Sequence, residues 1–242
     1  MVGTVIAKIK GSSAGDDYTM PASDGSSGEF LKTDGSGNLS FASAAAGYHK
    51  VTVFTSSSSA GGYSPDTGVT KVIVEVQGAG GSSGNSTGSY GSSGSGAGGY
   101  AMKHLPVTSS DTMTVTIGAV TGAAAGGDSK FTTVTGASFT EVKGTGGSAG
   151  WAASNPHNGG DGGVGSGGDL EITGQMGSPN NANDSNMVGA GSMFGSGGIT
   201  RSDGTTTGRT ATGYGAGGSG SNQSTGVGGN GSPGLVIVWE YK

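Results

Sequence analysis

The chain has 242 residues, 56 of them Gly, with Lys plus Arg at 11, Asp plus Glu at 16 and a formal net charge of −5. So few scattered cations cannot neutralise a run of phosphates, which excludes nucleic acid as an expected partner, and the absence of Cys removes disulfides and thiolate metal sites. Charged residues at 11% are too sparse for self-repelling disorder, so the expectation is a folded chain with a small apolar core and much backbone packing.

Residues 1–10 lack the apolar run of a signal peptide, and nothing along the chain reaches the length of a membrane span. The expected start is therefore in a cytoplasm, with no membrane insertion. Residues 1–47 read as a small module. Gly15-Asp16-Asp17-Tyr18-Thr19-Met20-Pro21 leads into two turn signals, Asp24-Gly25 and Asp34-Gly35, and Asp-Gly between alternating segments favours a hairpin. Leu39 and Phe41 flank Ser40 on one face. Residues 41–46 are the one place where a short helical turn is expected. So small a module has little core of its own and gains stability by oligomerising.

Residues 48–242 read as a second domain. Apolar and polar residues alternate over 48–54, 71–77, 100–105, 113–117, 130–134, 139–143 and 235–241, the two-residue period of half-buried strands. Val72, Val74 and Val76 share one face, as do Met113, Val115 and Ile117. Between these strands lie glycine-rich tracts at 78–99, 144–168, 189–198 and 213–234. Two readings of the tracts compete. Gly/Ser-rich sequence defaults to flexible coil, yet a folded domain rarely tolerates so many long structureless loops. The favoured reading is extended, polyproline-II-like rods whose side-chain-free backbones approach closely and hydrogen-bond laterally. The fold class expected is all-β: an N-terminal hairpin and oligomerisation module, then a glycine-rich antiparallel β-sandwich-like domain.

Two segments carry a resemblance. Tyr18-Thr19-Met20-Pro21, Asp24-Gly25 and Leu31-Lys32-Thr33-Asp34-Gly35-Ser36-Gly37-Asn38-Leu39-Ser40-Phe41 resemble a segment that recurs in bacteriophage tail-fibre proteins. Met20 stands where that segment has Leu, Glu29 near its usual Gln, and Phe41 where it has Trp. Val72-Ile73-Val74-Glu75-Val76, Gly78-Ala79-Gly80-Gly81, Gly96-Ala97-Gly98-Gly99-Tyr100, Thr114-Val115-Thr116-Ile117-Gly118-Ala119 and the closing Gly231-Ser232-Pro233-Gly234-Leu235-Val236-Ile237-Val238-Trp239-Glu240-Tyr241 resemble the glycine-rich domain at the distal end of phage fibres and receptor-binding adhesins. The resemblance implies a virion protein, made in the host cytoplasm and anchored to other tail or fibre proteins through residues 1–47. Its distal end would meet a host surface glycan or outer-membrane protein. Family members are homotrimeric fibres or monomeric tip adhesins, and the sequence leaves that choice open, with the homotrimer favoured. A purely structural fibre or decoration subunit is the alternative, and a glycan depolymerase is less favoured.

Chemistry is sparse. Gly146-Gly147-Ser148-Ala149-Gly150 matches a nucleophile-elbow pattern that needs a strand-to-helix turn, and no helix is expected after it. His49, His104 and His157 lack metal-ligand spacing. Asp161, Asp169 and Asp184 sit in Gly-rich sequence, where Asp commonly serves turns. Asp161, Asp169, Glu171, Asp184 and Asp203 are the candidates in the distal half for a carboxylate pair that cleaves glycosides. No catalytic residue, metal or cofactor is assigned. Recognition is expected from rigid aromatics and amides on glycine-rich loops. The site residues are Trp151, Asn155, His157, Asn158, Asn181, Asn183, Tyr90 and Phe194, with Tyr63, Tyr214 and Asn180 as further candidates. Trp151 leads, because Gly150-Trp151-Ala152-Ala153-Ser154-Asn155-Pro156-His157-Asn158 interrupts the glycine run like a loop tip.

Overall fold

A computed structural model describes residues 8–9, 17–43, 47–86, 91–152, 157–180, 187–199, 207–221 and 226–242. The fold is all-β, with no helix among the described residues. The chain divides into two compact units, residues 1–47 with Lys242, and residues 48–241.

In the first unit, β1 (Lys8–Ile9) pairs antiparallel with β2 (Tyr18–Thr19), and β3 (Glu29–Thr33) with β4 (Leu39–Ser43). Asp34 closes the second hairpin. Its Oδ1 accepts the N–H groups of Ser36 at 2.7 Å and Asn38 at 3.1 Å. Gly35 and Gly37 take φ of 75° and 86°, a region closed to most side chains. The Asp24-Gly25 signal makes no hairpin. It forms the approach to β3, where Glu29 accepts the Ser26 N–H, and a side chain at Gly25 would strike the Phe41 ring. The helical turn expected at 41–46 is corrected in part. Residues 41–43 lie in β4, because Phe41 is paired opposite Leu31, and 44–46 fall outside the described residues. Phe30 and Leu31 point to opposite faces of this ribbon and remain 46% and 42% exposed, since two strands cannot cover either face.

The second unit is built on two antiparallel sheets. One has the order β12-β7-β6-β15-β5, from β5 (Tyr48–Phe54), β6 (Lys71–Gln77), β7 (Tyr100–Pro106), β12 (Leu170–Ile172) and β15 (Leu235–Tyr241). The other has the order β11-β10-β9-β8, from β8 (Thr112–Thr116), β9 (Ser129–Thr135), β10 (Glu141–Gly144) and β11 (Gly165–Ser166). Val72, Val74, Val76, Ala101, Leu105, Val236 and Val238 of the first meet Met113, Val115, Phe131 and Val142 of the second in one core. In β15 the inward residues are Val236, Val238 and Glu240, while Ile237, Trp239 and Tyr241 look outward and stay half-buried. The free edge of β8 is covered by the 57–63 loop. Ser57 and Ser58 accept the Ile117 and Val115 N–H groups, and Tyr63 exchanges backbone bonds with Met113.

The glycine tracts leave the ends of these strands and form a lattice of extended rods. Along 78–86, donors three residues apart share a neighbour. Gly78 and Gly81 bond to Gly99 and Gly96, Ala79 and Ser82 to Gly127 and Ala124, and Gly80 and Ser83 to Ser232 and Gly229. A backbone that aims successive N–H groups in three directions and repeats every third residue has the three-residue turn of a polyproline-II helix. Rod 91–99 sits at the centre. It bonds to 145–152 through Gly96 and Gly99, to 173–180 through Gly94 and Ala97, and to 215–221 through Ser95 and Gly98, and it accepts bonds from 78–86, 158–164 and 187–191. Every residue from 91 to 101 is buried. This packing demands the composition: a Cβ on Gly96 would lie 1.9 Å from the Asp161 carbonyl oxygen, and one on Gly98 2.1 Å from that of Gly78. Where a buried rod position is Ser, its hydroxyl joins the lattice, as when Ser95 Oγ donates to the carbonyls of Gly81 at 2.6 Å and Gly218 at 2.8 Å. Two short strands, β13 (Phe194–Ser196) and β14 (Thr212–Tyr214), pair beside the lattice.

Candidate aromatic recognition site

The described parts of the tracts lead away from strand ends or back to them. β6 continues into 78–86 and β7 is reached through 91–99, while β10 continues into 145–152 and β11 is reached through 157–164. The rod ends remote from the strands are tied to one another. Ser86 N–H donates to Gly226, Ser93 N–H to Trp151, and Gly220 N–H to Met187, and the Ser92 and Ser221 hydroxyls meet at 2.9 Å.

Trp151 sits at such an end. Its N–H donates to Ser93 Oγ at 2.8 Å, and its carbonyl accepts the Ser93 N–H at 3.1 Å. The backbone is therefore locked to the buried central rod while the indole is 58% exposed. His157 stacks on it, with ring centroids 5.3 Å apart and planes 16° from parallel. Asn180 fixes His157 in turn. Its Oδ1 accepts the His157 N–H, its own N–H donates to the His157 carbonyl, and its Nδ2 donates to the Gly91 carbonyl at 2.8 Å. Asn180 is buried, so its amide acts as a bracket, whereas Asn158 beside it is exposed.

The stacked pair separates two depressions. A groove of about 560 Å³ is lined by Trp151, Asn85, Ala123, Ser148 and Asp161 among others. A notch of about 310 Å³ is lined by His157, Asn158, Pro179 and Asn180. The arrangement offers a flat π surface, exposed amides and one carboxylate, held by a rigid backbone. That is equipment for binding, with large contact area at small entropic cost.

Of the residues expected from sequence, the structure brings Trp151, His157 and Asn158 together. Tyr90, Asn155, Asn181 and Asn183 lie outside the described residues. Phe194 is elsewhere, in β13 opposite Tyr214, with its ring 6.0 Å from that of Tyr100. Tyr63 is corrected outright as a surface candidate. It is 6% exposed, packs against Phe54 and Phe131, and donates its hydroxyl to Glu240 Oε1 at 3.0 Å. Asn85 was missed, because a lone Asn in a Gly/Ser tract carries no signal of its own.

The ionisable groups fall into structural clusters. Asp169 accepts from the His104 N–H and from Lys103 Nζ, and those bonds hold its carboxyl below the usual range. Glu171 Oε1 accepts the Gly168 N–H in the same turn, while Asp184 and Asp203 lie outside the described residues. Sequence spacing gave no hint that His49, Asp66 and Glu240 converge, with ligand atoms within 4.8 Å of one another. Lys50 already supplies the cation there, at 2.9 Å from Asp66 and 3.5 Å from Glu240. The lysine, with His49, depresses the Asp66 pKa. Ser148 of the Gly146–Gly150 match lies on a rod, its N–H donated to the Asp161 carbonyl at 2.8 Å, and no strand-to-helix elbow exists there. No family model matches the chain, and no curated protein does either.

Proposed function

We propose that this protein is a subunit of a phage tail fibre or adhesin, which attaches the virion to the host cell by binding a surface glycan or outer-membrane protein. The observation that supports it is the stacked Trp151–His157 pair, with Trp151 exposed at the strand-remote end of a lattice whose central rod, 91–99, is buried. A ring face next to a groove with hydroxyl, amide and carboxylate groups suits a sugar ring or a loop of a surface protein. Several copies per particle offset weak binding at each site by raising the effective concentration. Residues 1–47 join the subunit to itself, as a homotrimer, or to other fibre proteins. What favours association is the apolar surface that the small unit leaves uncovered, Phe30 and Leu31 above all.

The test is competition. Purified protein should block adsorption of the cognate phage to its host, and Trp151→Ala should lose that activity while keeping its thermal midpoint. A Trp151→Ala protein that folds and competes as well as wild type removes the site. Wild-type protein that binds no host cell favours a purely structural subunit.

A further inference from the structure

The groove beside Trp151 holds a charge that nothing in the described chain answers. Asp161 is exposed on its wall, and no donor among the described residues meets its carboxylate. The Asp161 carbonyl accepts the Ser148 N–H at 2.8 Å within the lattice, so the part left to solvent is the side chain. Among the described residues it is the only charged side chain lining this groove of about 560 Å³. Other aspartates serve the fold. Asp34, Asp66, Asp111, Asp128 and Asp169 each accept at least one hydrogen bond on the carboxylate. Asp161 does no such work.

Two neighbours give the partner's character. The Trp151 indole is 58% exposed while its backbone is fixed by two bonds to Ser93. His157 stacks on the ring but does not line the groove, so the groove meets the surface that His157 leaves open. Asn85 is exposed on the same wall. Its Oδ1 accepts the Gly228 N–H at 3.2 Å, and its Nδ2 has no partner among the described residues. The groove thus offers an aromatic surface, an unpaired anion and an amide donor. A guanidinium suits the first two together, because it is planar, weakly hydrated, and able both to stack on indole and to fork onto a carboxylate. The amide donor matches a peptide carbonyl. A neutral sugar would leave the carboxylate's charge unanswered, and an anion would be repelled. We propose that the receptor group held in this groove is an arginine side chain on a loop of a host surface protein. This deepens the attachment role proposed above and rests on it.

Trp151 and Trp239 are the only tryptophans, so the ¹⁵N-labelled full chain gives two indole N–H signals. That of Trp239, bonded to Glu75 at 2.8 Å, is the internal reference. N-acetyl-arginine methylamide should shift the Trp151 signal, with saturation in the millimolar range. N-acetyl-citrulline methylamide, nearly the same shape without the charge, should bind about tenfold more weakly, because cation–π and ion-pair attraction go together. Asp161→Asn should weaken the arginine probe about threefold to fivefold, and Asp161→Glu should restore it. Both variants keep the backbone bond to Ser148, so the thermal midpoint should hold. A Trp151 signal that ignores the arginine probe, responds equally to the citrulline one, or titrates alike in Asp161→Asn overturns the proposal. Tighter binding of glucosamine than of the arginine probe overturns it in favour of an amino sugar. Phage adsorption separates this proposal from the attachment role. If Trp151→Ala cannot block adsorption while Asp161→Asn blocks it as wild type does, the site stands and the arginine is refuted. If wild-type protein blocks nothing, the attachment role falls, and the titration alone decides whether the groove takes arginine.

Discussion

The rod lattice makes a sharp prediction at Gly96. Replacing it with Ala puts a Cβ 1.9 Å from the Asp161 carbonyl oxygen and 2.8 Å from that of Gly160, where ordinary contact begins near 3.4 Å. Rod 91–99 is enclosed on all sides and cannot retreat, so rod 158–164 must move away by roughly 1.5 Å. That displacement stretches Gly160 N–H to Gly94 (2.9 Å), Gly163 N–H to Ala97 (2.8 Å) and Ser148 N–H to Asp161 (2.8 Å) past bonding distance. At about 1–2 kcal/mol for each buried bond broken, the loss is about 3–6 kcal/mol. The stiffer unfolded chain of an alanine variant returns about 0.4–1 kcal/mol. A domain of this size loses about 2–4 °C of Tm for each kcal/mol, so the midpoint should fall by roughly 10 °C. Gly191→Ala, where nothing lies within 3.7 Å, is the control and should stay within about 0.5 kcal/mol of wild type or gain slightly. Thermal and urea unfolding of both variants decide the matter. A Gly96→Ala protein as stable as the control would refute the claim that backbone contact between rods sets the composition.

Three further outcomes follow from the geometry. Tyr63→Phe removes the hydroxyl that donates to the fully buried Glu240; it should cost about 1.5–3 kcal/mol in urea unfolding, and a neutral effect would mean that Lys50 and the Asp66 N–H satisfy Glu240 alone. Asp66, with its pKa depressed by Lys50 and His49, contributes stability above its unfolded value, near 3.9, and that contribution is lost as pH falls through the lower folded value. Asp66→Asn should therefore show a flatter decline of Tm below about pH 4, and identical acid profiles would discount the ion pair. Phe30→Ser with Leu31→Ser should lower the oligomeric mass measured by light scattering without shifting the unfolding of residues 48–241; an unchanged mass would place self-association elsewhere.

Much of the fold was legible in the chain because strands advertise themselves by a local period. Val72, Val74 and Val76 needed no partner to be recognised as one face, and Asp34-Gly35 marked its hairpin. What was illegible depends on distant residues. β15 alternates apolar residues on both faces, and only Tyr63 and Lys50 around Glu240 explain why Val236 and Val238 turn inward. The expected strand at 139–143 begins only at Glu141, yet Phe139 still stacks on Phe131 at 5.8 Å. The strands β11, β12, β13 and β14 went unseen, because two or three residues carry no period. Trp151 and His157 could be read as a loop tip from composition, but the bracket that holds them, Asn180, could be placed only once rods 157–164 and 173–180 were seen side by side.

The lattice also sets an unusual thermal character. Rods 91–99 and 215–221 contain only Gly, Ser and Ala and remove peptide groups from water in place of hydrocarbon. Hydrating exposed peptide lowers the heat capacity, whereas hydrating hydrocarbon raises it, by about −0.26 against +0.45 cal/K/mol per Å². Unfolding this chain should accordingly absorb less extra heat per degree than the usual value of about 12–15 cal/mol/K per residue. Its stability curve is then broad and shallow, keeping the rod lattice intact across a wide span of temperatures, cold water included.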